Sequence, residues 1–304
     1  MINYLENTKI KQKMSDFIQH AVRHHDLQKL LLEFIDIKKE CQFGQLAYQH
    51  YEAFGGQNKQ AITKLAAGIE LLILSADILD DIEDQDNDSY PWMNVHQGVA
   101  INASTYLYTL SIQIITSLCE NNSQLIEKLL NLIKLSMEGQ HEDLSHMHGT
   151  EEECLEVLSK KSGSLTALSS VLGVYLATRE INSIVESYSN YYGVAEQISN
   201  DFFALFSKNN GDLQKKQTLA FSFLQRRFNA ASQELLTFFS GRLDGSEQKP
   251  FQLKQKLLEA GLTQYMVSMR EIMLLKMKQG IEQLELSKTK KEQLYVFMTK
   301  EEND

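Results

Sequence analysis

Proline is scarce in this sequence. The 304 residues contain 2 prolines, Pro91 and Pro250, where average usage would give roughly 15. Glycine, with 15 residues, also falls below its average of roughly 7%. Because proline interrupts helices and glycine-rich turns connect short strands, this composition permits long helices and argues against a turn-rich all-β fold.

Cysteine and long apolar runs are limited as well. There are three cysteines, Cys41, Cys119 and Cys154. Their odd number and the lack of a CxxC spacing indicate neither a disulfide framework nor a zinc site, so we expect buried thiols in a reducing cytoplasm. No uncharged stretch reaches the roughly 18 residues of a membrane span, since Glu70 and Asp77 interrupt the run 65–79. The polar N-terminus lacks the apolar core of a secretion signal. We therefore expect a cytoplasmic protein without an integral membrane segment.

Basic side chains are fewer than acidic ones. Against 40 acidic side chains there are 30 lysines and arginines, so the formal net charge is -10. A chain of this sign is repelled by a phosphate backbone, which basic surfaces normally attract. We expect no nucleic-acid partner.

Apolar residues recur at three-to-four spacing along most of the chain, which is typical of amphipathic helices. Three such stripes are Leu27, Leu30, Leu31, Phe34 and Ile35; Ile126, Leu129, Leu130, Ile133 and Met137; and Leu165, Leu168, Val171, Leu172 and Tyr175. Segments 65–79 and 167–177 are apolar or small nearly all round, as in the central helices of a bundle. With no obvious linker or repeat, the sequence predicts one all-α domain over residues 1–304.

An acidic cluster follows the first of these apolar segments. On a continuous helix its five carboxylates share one face: Asp77, Asp80, Asp81, Asp84 and Asp88. A run of acids is often only a solvated helix end. Here the cluster extends a buried helix and includes a DDxxD sequence, whose carboxylates one turn apart suit Mg²⁺ shared with phosphate oxygens. A calcium loop starting at Asp84 is excluded, because Ser89 and Val95 replace its glycine and its bidentate glutamate.

Further motifs follow the acidic helix in a fixed order. They are GQHEDL at 139–144, KSGSL at 161–165, QISND at 197–201 and DLQKKQTL at 212–219. Together with DDxxD they resemble the motifs of the trans-polyprenyl diphosphate synthase family. The resemblance implies a single-domain isoprenoid-synthase-type helical bundle around a deep apolar cavity, assembled as a homodimer.

The same resemblance implies roles for individual residues in the ionisation of an allylic prenyl diphosphate. Two or three Mg²⁺ ions would be held by Asp80, Asp81, Asp84 and Asn200. Catalytic roles would fall to Asp80, Asp84, Lys161 and Asp201. The substrate would be bound by Lys59, Lys161, Gln197 and Lys216, and Ser75 and Ala76, which are small, would leave room for a farnesyl or longer chain.

Several family residues are missing, and their absence bears on the second substrate. The cationic GGKR, which binds isopentenyl diphosphate, appears as Gly55-Gly56-Gln57-Asn58 with Lys59 beside it, and the Arg-Arg-Gly after DDxxD is absent. The family's second aspartate motif corresponds to the segment that begins with QISND, and here Asn200 and Ala204 replace two of its aspartates. Because a second diphosphate is strongly disfavoured without cations, we expect an acceptor that carries none. The pattern resembles a branch of the family that transfers a geranyl or farnesyl group to a tryptophan of a precursor peptide, in pheromone maturation for quorum sensing and competence.

Two alternatives stay open. One is a small-molecule polyprenyl diphosphate synthase or terpene cyclase, and the other is a non-catalytic partner subunit of a prenyl synthase. Retention of Asp80, Asp84, Lys161 and Lys216 argues against the second. Three histidines, His141, His146 and His148, have spacings of 5 and 2 and are interpreted as surface residues rather than a metal site.

Overall fold

The computed structural model describes residues 4–85, 89–120, 122–145, 149–206, 218–239 and 250–299. Every regular element within these ranges is a helix, which confirms the all-α prediction. The first seven α-helices are α1 (Tyr4–Ala21), α2 (His25–Ile37), α3 (Gln42–Ala53), α4 (Lys59–Asp84), α5 (Gln97–Leu118), α6 (Ser123–Ser145) and α7 (Glu151–Leu158). The following ones are α8 (Ser164–Thr178), α9 (Ser183–Ala204), α10 (Leu219–Gln225), α11 (Ala230–Phe239), α12 (Pro250–Glu259), α13 (Leu262–Glu282) and α14 (Lys288–Thr299). A 3-10 turn spans Pro91–Asn94, and a π-helical segment spans Ser159–Gly163.

The chain divides into two compact units. Unit 1 comprises Met1–Asn131, Leu168–Glu186 and Ile281–Asp304, and unit 2 comprises Leu132–Ala167 and Ser187–Gly280. Each boundary falls inside a helix, namely α6, α8, α9 or α13, rather than in a linker. The assignment of residues 1–304 to one domain stays a prediction.

Helix α4 is the central element of unit 1 and packs against α1, α3 and α5. All residues from Leu65 to Ser75 are buried. Their apolar and small side chains predict this for every one of them except the charged Glu70. Gly68 lets α5 approach closely, because a Cβ atom there would lie 2.9 Å from Cγ2 of Ile114. The side chain of Asn58 caps the start of α4 by accepting a hydrogen bond from the Ala61 amide at 3.0 Å.

Helix α4 ends at Asp84, where Gln85 adopts a left-handed conformation with φ of 56°. This conformation stops a helix because the next residue can no longer continue the hydrogen-bond ladder. The predicted face of five carboxylates is therefore too long by one residue. Asp88 comes after the end of the helix and lies outside the described residues.

Four helices of unit 2 are short, with 7 to 10 residues each: α7, α10, α11 and α12. Helix α10 packs against α7 and α11, and α11 packs against α12. A capping box starts α7: the Thr150 hydroxyl accepts from the Glu153 amide at 3.2 Å, and the Glu153 carboxylate accepts from the Thr150 amide at 2.9 Å. The π-helical segment Ser159–Gly163 then joins α7 to α8.

Burial agrees with most of the predicted stripes but not with all of one. In α2, Leu31, Phe34 and Ile35 are buried as expected. In α6 the buried face consists of Leu125, Leu129, Leu132 and Ile133, whereas two residues of the predicted stripe, Leu130 and Met137, are exposed. The apolar pattern of α6 is therefore broader than the face that its neighbours cover.

Two composition-based expectations can be compared with the structure. All three cysteines are free and buried, as predicted, and burial raises the pKa of the Cys41 thiol to about 12. In the ranges that the structure describes, no helix has the length and apolarity needed to cross a membrane.

Candidate active site

The last turns of α4 present the acidic motif in unit 1. Asp80 and Asp84 are four residues apart, so they lie one helical turn from each other, and both side chains are partly exposed. Asp77, one turn earlier, has half of its side chain exposed. The helix therefore carries adjacent carboxylates at its C-terminal end, where the macrodipole and their mutual repulsion both oppose the negative charge.

Asp81 differs from the other carboxylates because it points into the packed interior of unit 1. Its side chain is only 7% exposed, and its Oδ2 accepts a hydrogen bond from Nε1 of Trp92 at 2.7 Å. The structure thus brings Asp81 to Trp92, while Asp80 and Asp84 stay more accessible. Its assignment as a metal ligand stays a prediction.

Lys38 lies near the acidic cluster, although no sequence motif pointed to it. Its Nζ lies 3.5 Å from Oδ2 of Asp77 and 3.1 Å from Oε2 of the fully buried Glu70. Burial by itself lowers the pKa of Lys38, but Glu70 and Asp77 outweigh it and raise the pKa above its ordinary value. Lys38 therefore stays charged and offsets part of the acidic charge of α4.

The donors on α4 fit a Mg²⁺ site of the open kind. Asp80 and Asp84 offer carboxylate oxygens one turn apart, and Mg²⁺ is commonly held by one or two carboxylates together with waters and phosphate oxygens. Among the described residues, no group of three or more histidine, cysteine, aspartate or glutamate side chains is arranged as a metal site. In a site of this kind, waters and phosphate oxygens would complete the coordination.

The three predicted substrate-binding residues of α4 have different surroundings. Ser75 is buried, and its Oγ lies 3.0 Å from both the carbonyl oxygen and Oγ of Ser104 on α5. Ala76 is partly exposed. Lys59 is 74% exposed and lies 3.7 Å from Glu52, so its ammonium is accessible at the start of the helix. Their roles toward a substrate stay predictions.

In unit 2, Lys161 lies on the π-helical segment, a type of irregularity that often marks functional sites. Its Nζ lies 3.0 Å from Oδ2 of Asp143, so an ion pair joins the KSGSL motif to the GQHEDL motif. Gly139 makes this approach possible, because a Cβ atom there would lie 2.4 Å from the Lys161 backbone nitrogen. Ser136 Oγ also donates to the Lys161 carbonyl at 2.9 Å.

The neighbouring Lys160 is held by acids of its own. Its Nζ lies 2.8 Å from both Glu142 and Glu156, and hydrogen bonds to these carboxylates raise the pKa of Lys160 to about 12. The two lysines therefore have different partners: Lys161 contacts Asp143, whereas Lys160 contacts Glu142 of the same GQHEDL motif and Glu156.

A hydrogen-bond chain links the next motif to the π-helical segment. The Ser162 hydroxyl donates to Oε1 of Gln197 at 2.9 Å, and Nε2 of Gln197 donates to Oδ1 of Asp201 at 2.8 Å. These two hydrogen bonds orient the Asp201 carboxylate on the final turns of α9. Asn200, beside it, is exposed. The structure thus joins Gln197 to Asp201 and to the lysine-bearing segment within unit 2.

Not every residue that the sequence motifs single out falls within the described ranges. Lys216 and its motif before Thr218 lie outside the described residues, as do His146 and His148. His141 is exposed, in agreement with its interpretation as a surface residue.

Comparison with known proteins decides the family. The sequence pattern of "Polyprenyl synthetase" matches residues 24–220. The chain is 42% identical over 295 residues to the tryptophan prenyltransferase ComQ of Bacillus subtilis subsp. natto, covering 96% of this chain and 92% of that protein. This chain belongs to the polyprenyl synthetase family.

Solved structures of the family have the same fold. A polyprenyl synthetase of Streptomyces coelicolor superposes with a TM-score of 0.82 at 16% identity, over 97% of this chain and 98% of that one. A polyprenyl synthase of Caulobacter crescentus, in complex with calcium and isoprenyl diphosphate, gives a TM-score of 0.78 at 17% identity, over 96% and 93%. The isoprenoid-synthase-type fold is thus confirmed, and the family typically uses divalent metal ions with diphosphate substrates.

Proposed function

We propose that this member of the family is a Mg²⁺-dependent prenyltransferase that transfers a geranyl or farnesyl group to a tryptophan of a pheromone precursor peptide. The observation that carries the proposal is the similarity, along nearly the full chain, to a tryptophan prenyltransferase. The cytoplasmic location and the homodimer expected from the sequence stay predictions.

Two acidic residues and one lysine described above would serve the donor half of the reaction. Asp80 and Asp84 would hold Mg²⁺, and Lys161 would have the role that the family resemblance implies, which is to neutralise the charge of the diphosphate. When bound, Mg²⁺ supplies positive charge that stabilises the departing diphosphate. The bond between C1 of the prenyl chain and the diphosphate oxygen breaks, and its electron pair leaves with the diphosphate. A delocalised allylic cation remains, which apolar surroundings protect from water.

The acceptor half explains why the second cationic clamp is missing. Indole C3 uses its own π electrons to form the new bond to prenyl C1, which leaves indole C2 electron-poor. The peptide backbone nitrogen then adds to indole C2, and the proton of that nitrogen leaves. Neither step needs a second diphosphate. In agreement with this, Asn58 caps α4 at the position where the family pattern has a cation, and Lys59 is exposed beside Glu52.

The rival activities predict different products. A polyprenyl diphosphate synthase must bind isopentenyl diphosphate, which is a second anion. A non-catalytic subunit would form no product, and it would have no reason to keep the like-charged Asp80 and Asp84 adjacent. A terpene cyclase would convert the prenyl diphosphate without any acceptor. The three can therefore be separated by supplying one donor with different acceptors.

The test is to incubate the purified full chain with Mg²⁺ and geranyl, farnesyl or geranylgeranyl diphosphate. Each donor is combined with a tryptophan-containing precursor peptide, with the same peptide carrying phenylalanine at that position, or with isopentenyl diphosphate. Mass spectrometry should show one added prenyl group on the tryptophan peptide alone. An elongated diphosphate with unmodified peptide would overturn the proposal in favour of a synthase, and a hydrocarbon product without peptide would favour a cyclase.

A further inference from the structure

The segment after the acidic helix contains the single tryptophan of the chain, Trp92, and folds back against α4. This segment is the 3-10 turn Pro91–Asn94, which also packs against α2 and α5 within unit 1. Trp92 is 5% exposed and donates its only side-chain hydrogen bond to Oδ2 of Asp81 at 2.7 Å. A tertiary contact therefore reaches the second aspartate of DDxxD from outside its helix.

Two aromatic side chains pack against the indole of Trp92. The ring of Tyr90 stacks on Trp92 with centroids 4.7 Å apart and an interplanar angle of 24°. The ring of Phe34 meets it edge-on, with centroids 5.4 Å apart at 83°. Both preferred aromatic geometries are satisfied, so the indole ring is packed on two sides while its N–H group bonds to Asp81.

We propose that Trp92 is a positioning residue, which orients the Asp81 carboxylate for its part in binding Mg²⁺ and diphosphate. The inference rests on the proposed function, since it assigns Asp81 to the same metal site as Asp80 and Asp84. A hydrogen bond to an ionised acceptor is strong and directional, and a carboxylate can accept it while its other lone pairs bind a metal. Hydrogen-bond donors to a metal-binding carboxylate orient that ligand, and their loss typically weakens metal affinity about 10- to 100-fold.

The position of Trp92 in the sequence gives this role a further reason. The family pattern has Arg-Arg-Gly shortly after DDxxD, but here the chain continues with Ser89, Tyr90 and Pro91 into the turn that carries Trp92. A segment that lacks the cationic residues thus contributes a buried hydrogen-bond donor to the same acidic motif.

The first test compares Trp92→Phe with Phe34→Leu. Trp92→Phe keeps an aromatic ring but removes the N–H group, whereas Phe34→Leu removes an edge contact of the ring and keeps the N–H group. Isothermal titration calorimetry with magnesium pyrophosphate should show an apparent Kd raised about 10-fold or more for Trp92→Phe. For Phe34→Leu the Kd should stay within about twofold of wild type, even where thermal unfolding shows that both variants are destabilised.

The second test is a double-mutant cycle with Asp81→Ala. If Trp92 acts through Asp81, Trp92→Phe should weaken binding in the wild-type background and have no further effect in the Asp81→Ala background. Equal binding by wild type and Trp92→Phe, equal losses in Trp92→Phe and Phe34→Leu, or additive effects in the cycle would overturn the positioning role. Absence of magnesium pyrophosphate binding by wild type would instead overturn the metal site itself, and with it both proposals.

Discussion

The ammonium of Lys38 lies 3.1 Å from Oε2 of Glu70, a carboxylate with no exposed surface. The other oxygen of Glu70 accepts a hydrogen bond from the Gly44 amide at 2.6 Å. Lys38 is the C-cap residue of α2, so one ion pair ties α2 to the middle of α4 while a backbone hydrogen bond ties α3 to the same side chain. The helix that carries the acidic motif is thus anchored to two neighbours by a buried charge.

This anchor predicts the effect of removing one partner. Lys38→Met should lower the free energy of unfolding by about 3–5 kcal/mol, because it leaves the Glu70 carboxylate buried without its cation. The double variant Lys38→Met/Glu70→Gln should recover most of that loss, because the neutral side chain still offers an acceptor to the Gly44 amide. Urea unfolding checks both, with Lys288→Ala as a control from an exposed ion pair that contributes little. A loss no larger than that of the control would show that the pair is not a buried anchor.

Substitutions in the acidic motif should separate chemistry from folding. Asp80→Asn and Asp84→Asn should each lower kcat/KM for prenyl transfer on the order of 100-fold or more, because the metal-bound diphosphate loses a charged ligand. Their circular-dichroism spectra should match wild type, since both side chains are partly exposed and their removal relieves like-charge repulsion.

The matched control for these variants is Glu83→Gln, which neutralises an exposed acid on the same turn of α4. It should retain transfer activity. Loss of helical signal in Asp80→Asn, or equal loss of activity in Glu83→Gln, would mean that the cluster acts through structure or through net charge alone.

Ser75 and Ala76 should respond differently to substitution. Ala76→Phe should shift the donor preference from farnesyl toward geranyl diphosphate, because an aromatic ring would shorten the space for the chain. Ser75→Ala should instead lower stability by about 1 kcal/mol without changing that preference, because its hydroxyl is already bonded to Ser104. Competition between the two donors, analysed by mass spectrometry, checks the first expectation, and thermal unfolding checks the second. A changed donor preference in Ser75→Ala would show that this side chain also borders the prenyl group.

His50 should make stability depend on pH below neutrality. It has no exposed surface, its Nδ1 lies 2.8 Å from the Leu46 carbonyl oxygen, and burial lowers its pKa to about 4. The unfolded chain, with an ordinary histidine pKa of 6.5, binds the proton more readily, so stability falls as pH decreases through the interval between these values. The loss attributable to His50 between pH 7 and pH 5 should be roughly 2 kcal/mol.

Urea unfolding of wild type and His50→Gln at several pH values measures this pH-dependent loss of stability. The variant should lose less stability than wild type on acidification, whatever its stability at pH 7. The exposed His25 provides a control, since His25→Gln should keep the wild-type slope. Identical slopes for His50→Gln and wild type would show that His50 is not held neutral by burial.

The sequence predicted the elements of the site better than the contacts among them. The apolar run 65–79 and the DDxxD motif located α4 and its partly exposed Asp80 and Asp84, because helical periodicity depends on near neighbours in the chain. The motifs around Lys161 and Gln197 likewise pointed to residues that the structure joins to Asp143 and Asp201. Their shared roles toward a diphosphate stay predictions.

What the sequence by itself determined is the helical class, the order of the motifs and the family to which they belong. Only the tertiary structure decided which way the individual side chains face: Asp81 toward Trp92, Ser75 toward Ser104, and Lys38 toward Glu70 and Asp77. The physical reason is that a helix pattern specifies a face within the span of a few turns, whereas the partner of that face comes from another helix. Lys38 and Asp77 are 39 positions apart, and no local spacing rule connects them.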